Sequence, residues 1–170
     1  MIGRMTLAAA FIALAATPTL AGSLDPLLKG FDDGCDYTEA LGGLLQSSYA
    51  FARKEGKVEL PSGYKALFGE VTVTPIEDYL EITIPVKNST WRGVPVRQIN
   101  AYITPLESGL SSHVIVFPKD AEKAAEAAFK ERGVASQKKV KAKDDGGFGW
   151  GTGYSIDKDG APSYMCDLST

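Results

Sequence analysis

The chain contains only two cysteines, Cys35 and Cys166. If they join, the beginning and the end of the domain must lie side by side, which excludes any fold whose ends stand apart. Whether they join depends on the compartment. Arg4 gives residues 1–21 a positive flank, residues 7–16 are an uninterrupted apolar run, Pro18 breaks it, and residues 19–21 place small side chains around a cleavage point. This is the pattern of a cleaved secretory signal peptide, and the run is far short of the roughly 20 residues that span a bilayer. Exported thiols meet an oxidising environment and tend to pair, so a Cys35–Cys166 disulfide is expected. In the chain-entropy model a bridge closing so long a loop restricts the unfolded chain by roughly 5 kcal/mol. The spacing does not suit a redox enzyme, whose catalytic pair would stand close together as in Cys-x-x-Cys.

With 44% hydrophobic and 23% charged residues, the remaining residues 22–170 have the make-up of one ordinary domain. No cysteine follows the cleavage point closely, which argues against a lipoprotein anchor, and no second apolar run is long enough to span a membrane. No transmembrane anchor is expected in the mature chain. Loss of residues 1–21 removes one base, Arg4, and no acid, taking the formal charge from −3 to −4. That balance argues against nucleic acid as a partner, because phosphate binding draws on a basic surface.

Residues 22–34 read as a loop. Asp36 with Glu39 three places on is a capping-box arrangement. Tyr37, Leu41, Leu44, Leu45, Ser48, Tyr49 and Ala52 then recur at spacings of three and four, so an N-terminal helix is expected, stopping near Gly56. Gly42 and Gly43 inside it cost about 1 kcal/mol each relative to alanine, which predicts close packing against another backbone there, or a kink. From Val71 the period becomes two. Val71 and Val73, then Leu80, Ile82, Ile84 and Val86, alternate with more polar neighbours and predict two half-buried strands joined through residues 75–78, with Pro85 at a strand end or edge.

Residues 94–104 form a third strand, whose apolar phase shifts between Val96 and Ile99 and predicts a bulge near Arg97 and Gln98. Residues 110–117, almost wholly apolar, read as a central fourth strand. Short connections and clean alternation fit antiparallel pairing. Asp120 then caps a second helix with a stripe of Ala121, Ala124, Ala125, Ala128 and Phe129, closed by Gly133. Residues 137–143 read as an edge strand with Lys139, Lys141 and Lys143 on one side. Asp157, Lys158, Asp159 and Gly160 form the turn of a C-terminal hairpin whose last strand carries Cys166. The expected class is α+β: an antiparallel meander, an N-terminal helix, a second helix after the fourth strand, a C-terminal hairpin and one disulfide.

Within residues 146–154 glycine alternates with a larger residue: Gly147, Gly149, Gly151 and Gly153 against Phe148, Trp150, Thr152 and Tyr154. In one extended strand this gives a bare face and an aromatic face, and the bare face admits a closely packed neighbour such as the alanine-rich second helix. If Phe148, Trp150 and Tyr154 point inward they are core; if outward, they form a patch of the kind that marks a binding surface. The run is not a phosphate loop, since it lacks the Gly-Lys-Ser/Thr ending and no helix follows.

His113 is the only histidine, and with the cysteines committed to each other too few ligands remain for zinc; no metal and no cofactor is expected. His113 shares a strand face with Ser111, Ile115 and Phe117. Its plainer role is a hydrogen-bonded core residue, while the sharper role, a catalytic base, needs an oriented partner and an oxyanion site as well. Asp157, Lys158, Asp159 and Gly160 resemble the start of a calcium loop but lack its later ligands and read as a tight turn. Asp32, Asp33 and Asp36 read as a solvated loop and a helix cap. Lys138, Lys139, Lys141 and Lys143 either protect an edge strand or contact an acidic protein or anionic envelope polymer. Asn88, Ser89 and Thr90 match a glycosylation acceptor in a eukaryotic source.

With no convincing nucleophile, the function expected is that of an exported, non-enzymatic binding protein. Its partner would be a protein or an envelope polymer, and it is read foremost as an inhibitor or immunity-like partner of an envelope or extracellular enzyme. The alternatives are a small hydrolase using His113 and a structural envelope component that binds polysaccharide through its aromatics.

Overall fold

The computed structural model describes residues 22–105 and 109–170; the expected signal peptide lies outside the described residues. In chain order the elements are β1 (Gly22–Ser23), α1 (Glu39–Ala52), β2 (Thr72–Ile76), β3 (Tyr79–Pro85), β4 (Ser89–Trp91), β5 (Val94–Pro95), β6 (Gln98–Ile103), β7 (Ser111–Val116), α2 (Glu122–Lys143), β8 (Gly151–Ile156) and β9 (Pro162–Asp167). The fold is α+β. Six strands form one sheet in the order β2-β3-β6-β7-β9-β8, every neighbouring pair antiparallel. A smaller sheet, β1-β4-β5, joins the N-terminal arm to the β3–β6 connection. Cys35 and Cys166 form the disulfide, with Cα atoms 5.8 Å apart.

Alternation along the strands sorts the large sheet into two faces. On one face the cross-strand rows run Ile82, Ala101, His113, Cys166 and Ile84, Ile99, Ile115, Tyr164. Every side chain in those rows is buried, and both helices supply the covering layer: Leu41, Leu44, Leu45 and Ser48 from α1, and Ala125, Phe129, Gly133, Ser136 and Val140 from α2. Residues 22–34 contribute more than a loop would, because Leu24, Leu27, Leu28 and Phe31 are wholly buried. Phe31, Trp91, Phe117, Phe129 and Tyr164 meet in one aromatic cluster. At roughly 1.5–3 kcal/mol for each large apolar side chain removed from water, this arm is part of the core.

Four local expectations are corrected. First, α1 is capped by Thr38, whose Oγ1 accepts from the Leu41 N–H at 3.1 Å and donates to the Leu27 carbonyl at 2.8 Å, while Asp36 pairs with Lys143. A Cβ at Gly42 or Gly43 would meet nothing within 4 Å, so neither glycine marks a close backbone contact. Second, the phase shift near Arg97 is a change of sheet and not a bulge. The Val96 N–H bonds to Ser89 beside the small sheet and the next N–H, Arg97, bonds to Val116 in the large one.

Third, α2 runs through Gly133 to Lys143, so residues 137–143 are helix. Their buried member, Val140, continues the spacing of three and four set by Phe129, Gly133 and Ser136, a period that outweighs the alternation of lysines. Fourth, the glycine run is a strand only from Gly151. Gly147 and Gly149 have φ of 68° and 81°, and residues 147–150 coil around Asp144, whose carboxylate accepts from the N–H groups of Phe148, Gly149 and Trp150 at 2.9–3.1 Å. The packing scheme survives in the second half of the run. A Cβ on Gly133 would lie 2.9 Å from the Gly153 Cα and 3.0 Å from the Tyr154 nitrogen, so the alanine-rich helix and β8 meet backbone to backbone.

Candidate functional site

The second face of the large sheet carries the rows Glu81, Tyr102, Ser112 and Thr83, Asn100, Val114, Met165 and Gln98, Val116, Ser163, Ser155. Neither helix contributes to this side, since the buried residues of α1 and α2 belong to the core on the opposite one. The face encloses a cleft of about 600 Å3, with Ile76 and Tyr79 toward one end and Arg97 and the β8–β9 turn, Asp157 to Asp159, also on its walls. That turn is held by the Asp157 carboxylate, which accepts from the N–H groups of Asp159 and Ala161.

The floor is a hydrogen-bonded chain with one polarity. Arg97 Nε donates to Gln98 Oε1 at 3.1 Å, Gln98 Nε2 to Asn100 Oδ1 at 2.8 Å, and Asn100 Nδ2 to Glu81 Oε1 at 3.0 Å. The Tyr102 hydroxyl donates to the same Glu81 oxygen at 2.9 Å. Asn100 is 5% exposed and Ser112 6%, so the face is concave enough to bury polar groups that no helix covers. Burial pushes the Tyr102 phenol up to about 12, which keeps it a neutral donor. The Tyr79 and Tyr102 rings meet edge to face, centroids 5.9 Å apart, and Val114, Val116 and Met165 add an apolar strip. Polar groups bonded to one another in a partly shielded place hold fixed positions, and a few fixed polar groups among apolar ones are the ordinary make-up of a ligand site.

Apart from the Asp157–Asp159 turn, the residues singled out from the sequence as candidate sites lie elsewhere. His113 is buried on the helix-covered face, where its Nδ1 meets the Tyr37 hydroxyl at 2.8 Å and its Nε2 meets the Tyr49 hydroxyl. A neutral imidazole has one donor and one acceptor, so one tyrosine donates and the other accepts. Burial pushes His113 down to about 4, against the opposing pull of Asp167, and pushes Tyr37 and Tyr49 up, the latter to about 12. Ser111 bonds to the Tyr49 side chain, and its N–H donates to the Ser169 hydroxyl at 3.1 Å.

Phe148, Trp150 and Tyr154 do not make one patch. Phe148 is 56% exposed, the half-buried Trp150 donates its indole N–H to the Ser169 carbonyl at 3.1 Å, and Tyr154 packs against the core. The lysines are divided too. Lys139 pairs with Asp33 at 2.5 Å and Lys143 with Asp36 at 2.8 Å, whereas Lys141 lies with Lys130 and Lys138 on a groove between α2 and β8. The acidic cluster is therefore paired within the chain, with Asp33 and Asp36 exposed and Asp32 buried. Asp32, wholly buried, takes a two-pronged contact from Arg92 at 2.6 and 3.0 Å, with Arg132 at 3.6 Å. Asn88 is exposed at a turn, with a φ of 42°. Among the described residues no group of three or more potential metal ligands stands together, and no helix is long and apolar enough to cross a membrane.

The cleft itself was not singled out from the sequence, although its signal was present: Glu81, Thr83, Asn100, Tyr102 and Ser112 are the polar halves of alternating strands. Alternation says that these share a face, not that the face is left uncovered. No known family model matches the chain, and neither a characterised protein nor a solved structure proves similar to it.

Proposed function

We propose that this chain is an exported, non-enzymatic binding protein that holds its partner on the open face of the six-stranded sheet. The observation that carries the reading is the Gln98–Asn100–Glu81–Tyr102 network, fixed at the bottom of a 600 Å3 cleft. Rigid polar groups presented in advance lower the ordering cost of association. The disulfide is compatible with export. The reading extends to an inhibitor or immunity-like partner of an envelope or extracellular enzyme.

The hydrolase alternative draws no support from His113, whose two nitrogens are both engaged by tyrosines in the core. The polysaccharide alternative through Phe148, Trp150 and Tyr154 draws none from three rings of which two pack against the core and only Phe148 is exposed. The test is recovery of a stoichiometric partner from the exported fraction by the mature chain, by Val114→Lys in the centre of the cleft, and by Lys141→Glu on the α2 groove. Recovery lost only with Val114→Lys supports the open face. Recovery lost only with Lys141→Glu moves the binding surface to the helix and overturns this reading.

A further inference from the structure

Among the described residues Glu81 is a half-buried carboxylate without an ion-pair partner. Its Oε1 accepts from two neutral donors, the Tyr102 hydroxyl and the Asn100 amide, and among the described residues no hydrogen bond reaches its Oε2. The side chain is thereby fixed along the cleft floor by one of its two oxygens. Its Oε2 is not among the buried atoms without a partner and so stays open to solvent; a carboxylate held in place with one oxygen open is set to form a charge-assisted hydrogen bond that neutral donors do not supply. The nearest fixed cation along the network, Arg97, is separated from Glu81 by Gln98 and Asn100. Register places Glu81 opposite Tyr102 and Pro85 opposite Gln98, so that separation is roughly four residues of strand, about 13 Å.

What surrounds Glu81 suits one kind of ligand group. The Tyr79 and Tyr102 rings stand edge to face at this end of the cleft, and tyrosine faces attract cations more strongly as water is excluded. A carboxylate flanked by two such rings repels anions and gains little from a neutral hydroxyl, whereas an ammonium satisfies both the free oxygen and the rings. We propose that the Glu81 end of the cleft receives an ammonium group, carried by a small amine or by a lysine side chain. The proposal rests on the open face being the binding surface.

The experiment is a titration of the isotope-labelled mature chain with putrescine and with Nα-acetyl-lysine amide, using sodium acetate and glucose for comparison. The side-chain amide signals of Asn100 and Gln98 are followed by nuclear magnetic resonance. Both cations should saturate these shifts, with an affinity that falls as salt is raised, and Glu81→Gln should weaken them by roughly tenfold or more. Thr83→Lys, which tethers an ammonium beside Glu81, should abolish the response to added cation; it keeps the proposal testable if Glu81→Gln is poorly folded. Tighter binding of the lysine derivative makes a protein partner the source, and tighter binding of the diamine makes it a free amine. Equal cation binding by Glu81→Gln, or saturation by acetate or glucose in place of the cations, overturns the proposal. If that occurs while partner recovery still depends on Val114, only the ammonium assignment falls; if recovery is also independent of Val114, the open face falls with it.

Discussion

His113 shows how one buried residue ties three segments together and sets a pH limit. Tyr37 precedes α1, Tyr49 lies within it, and both hydroxyls close on the same ring of β7. In the folded protein burial holds the imidazole near 4, with Asp167 opposing, whereas in the unfolded chain it titrates at about 6.5. Between those values the unfolded state binds a proton that the native state does not, so stability is fully present above about pH 6.5 and falls with decreasing pH. The slope is about 1.4 kcal/mol per pH unit, for a total loss of about 3 kcal/mol by pH 4. Asp33, held below the ordinary carboxyl range by Lys139, loses its contribution at lower pH, so the histidine window stands apart. Urea unfolding from pH 7 to pH 4 should show this loss in the native chain and a flatter profile in His113→Gln. Equal slopes in the two would refute the assignment.

At the scale of elements, two pairs of glycines inside or beside helices play opposite parts that the sequence does not distinguish. Gly42 and Gly43 face open space, so alanine there removes backbone entropy from the unfolded chain without a clash. Gly43→Ala, at an exposed position, should raise stability by about 0.5–1 kcal/mol. Gly133→Ala in α2 should lower it despite the better helix propensity, because its Cβ would fall on Gly153 backbone; the cost expected from such overpacking is about 1–3 kcal/mol. Thermal unfolding of the two variants checks the contrast, and stabilisation by both would show that α2 can lift away from β8. The same contrast marks the limit of what was legible. Periodicity located α1, the strands of the meander and the hairpin, most clearly where one face is buried, as in α1 and β3, although residues 94–104, read as one strand, divide between β5 and β6 in different sheets. It failed at residues 137–143, where Lys139 and Lys143 satisfy helical and alternating patterns alike and only Val140 decides. It failed again at residues 147–150, where the turns of Gly147 and Gly149 around Asp144 look like a strand on paper. The open cleft was half legible: Glu81 and Thr83 were placed on a polar face, but whether anything covers that face depends on where distant helices pack.

Across the whole molecule, both helices and the N-terminal arm crowd one side of the sheet, which leaves the cleft free but makes the covered side dependent on how the chain ends are held. Leu24, Leu27, Leu28 and Phe31 are buried, Phe31 against Trp91 and Tyr164, and the Cys35–Cys166 bridge fastens the end of that arm to β9, the strand beside β7 in the large sheet. Because 131 positions separate the two cysteines, the bridge acts chiefly on the unfolded chain, which it keeps compact. Replacing both cysteines by alanine should therefore lower stability by about 2–5 kcal/mol and also steepen the dependence on denaturant, since a chain without the cross-link exposes more surface on unfolding. Cys166 is wholly buried and Cys35 nearly so, so alanine removes little packing volume, and the native cleft should keep its ligand affinity in the folded fraction. Denaturant curves of the oxidised chain and the double variant provide the measurement. A lower midpoint with an unchanged slope would instead locate the stabilisation in the folded state, where the bridge would serve as a packing contact between the arm and β9.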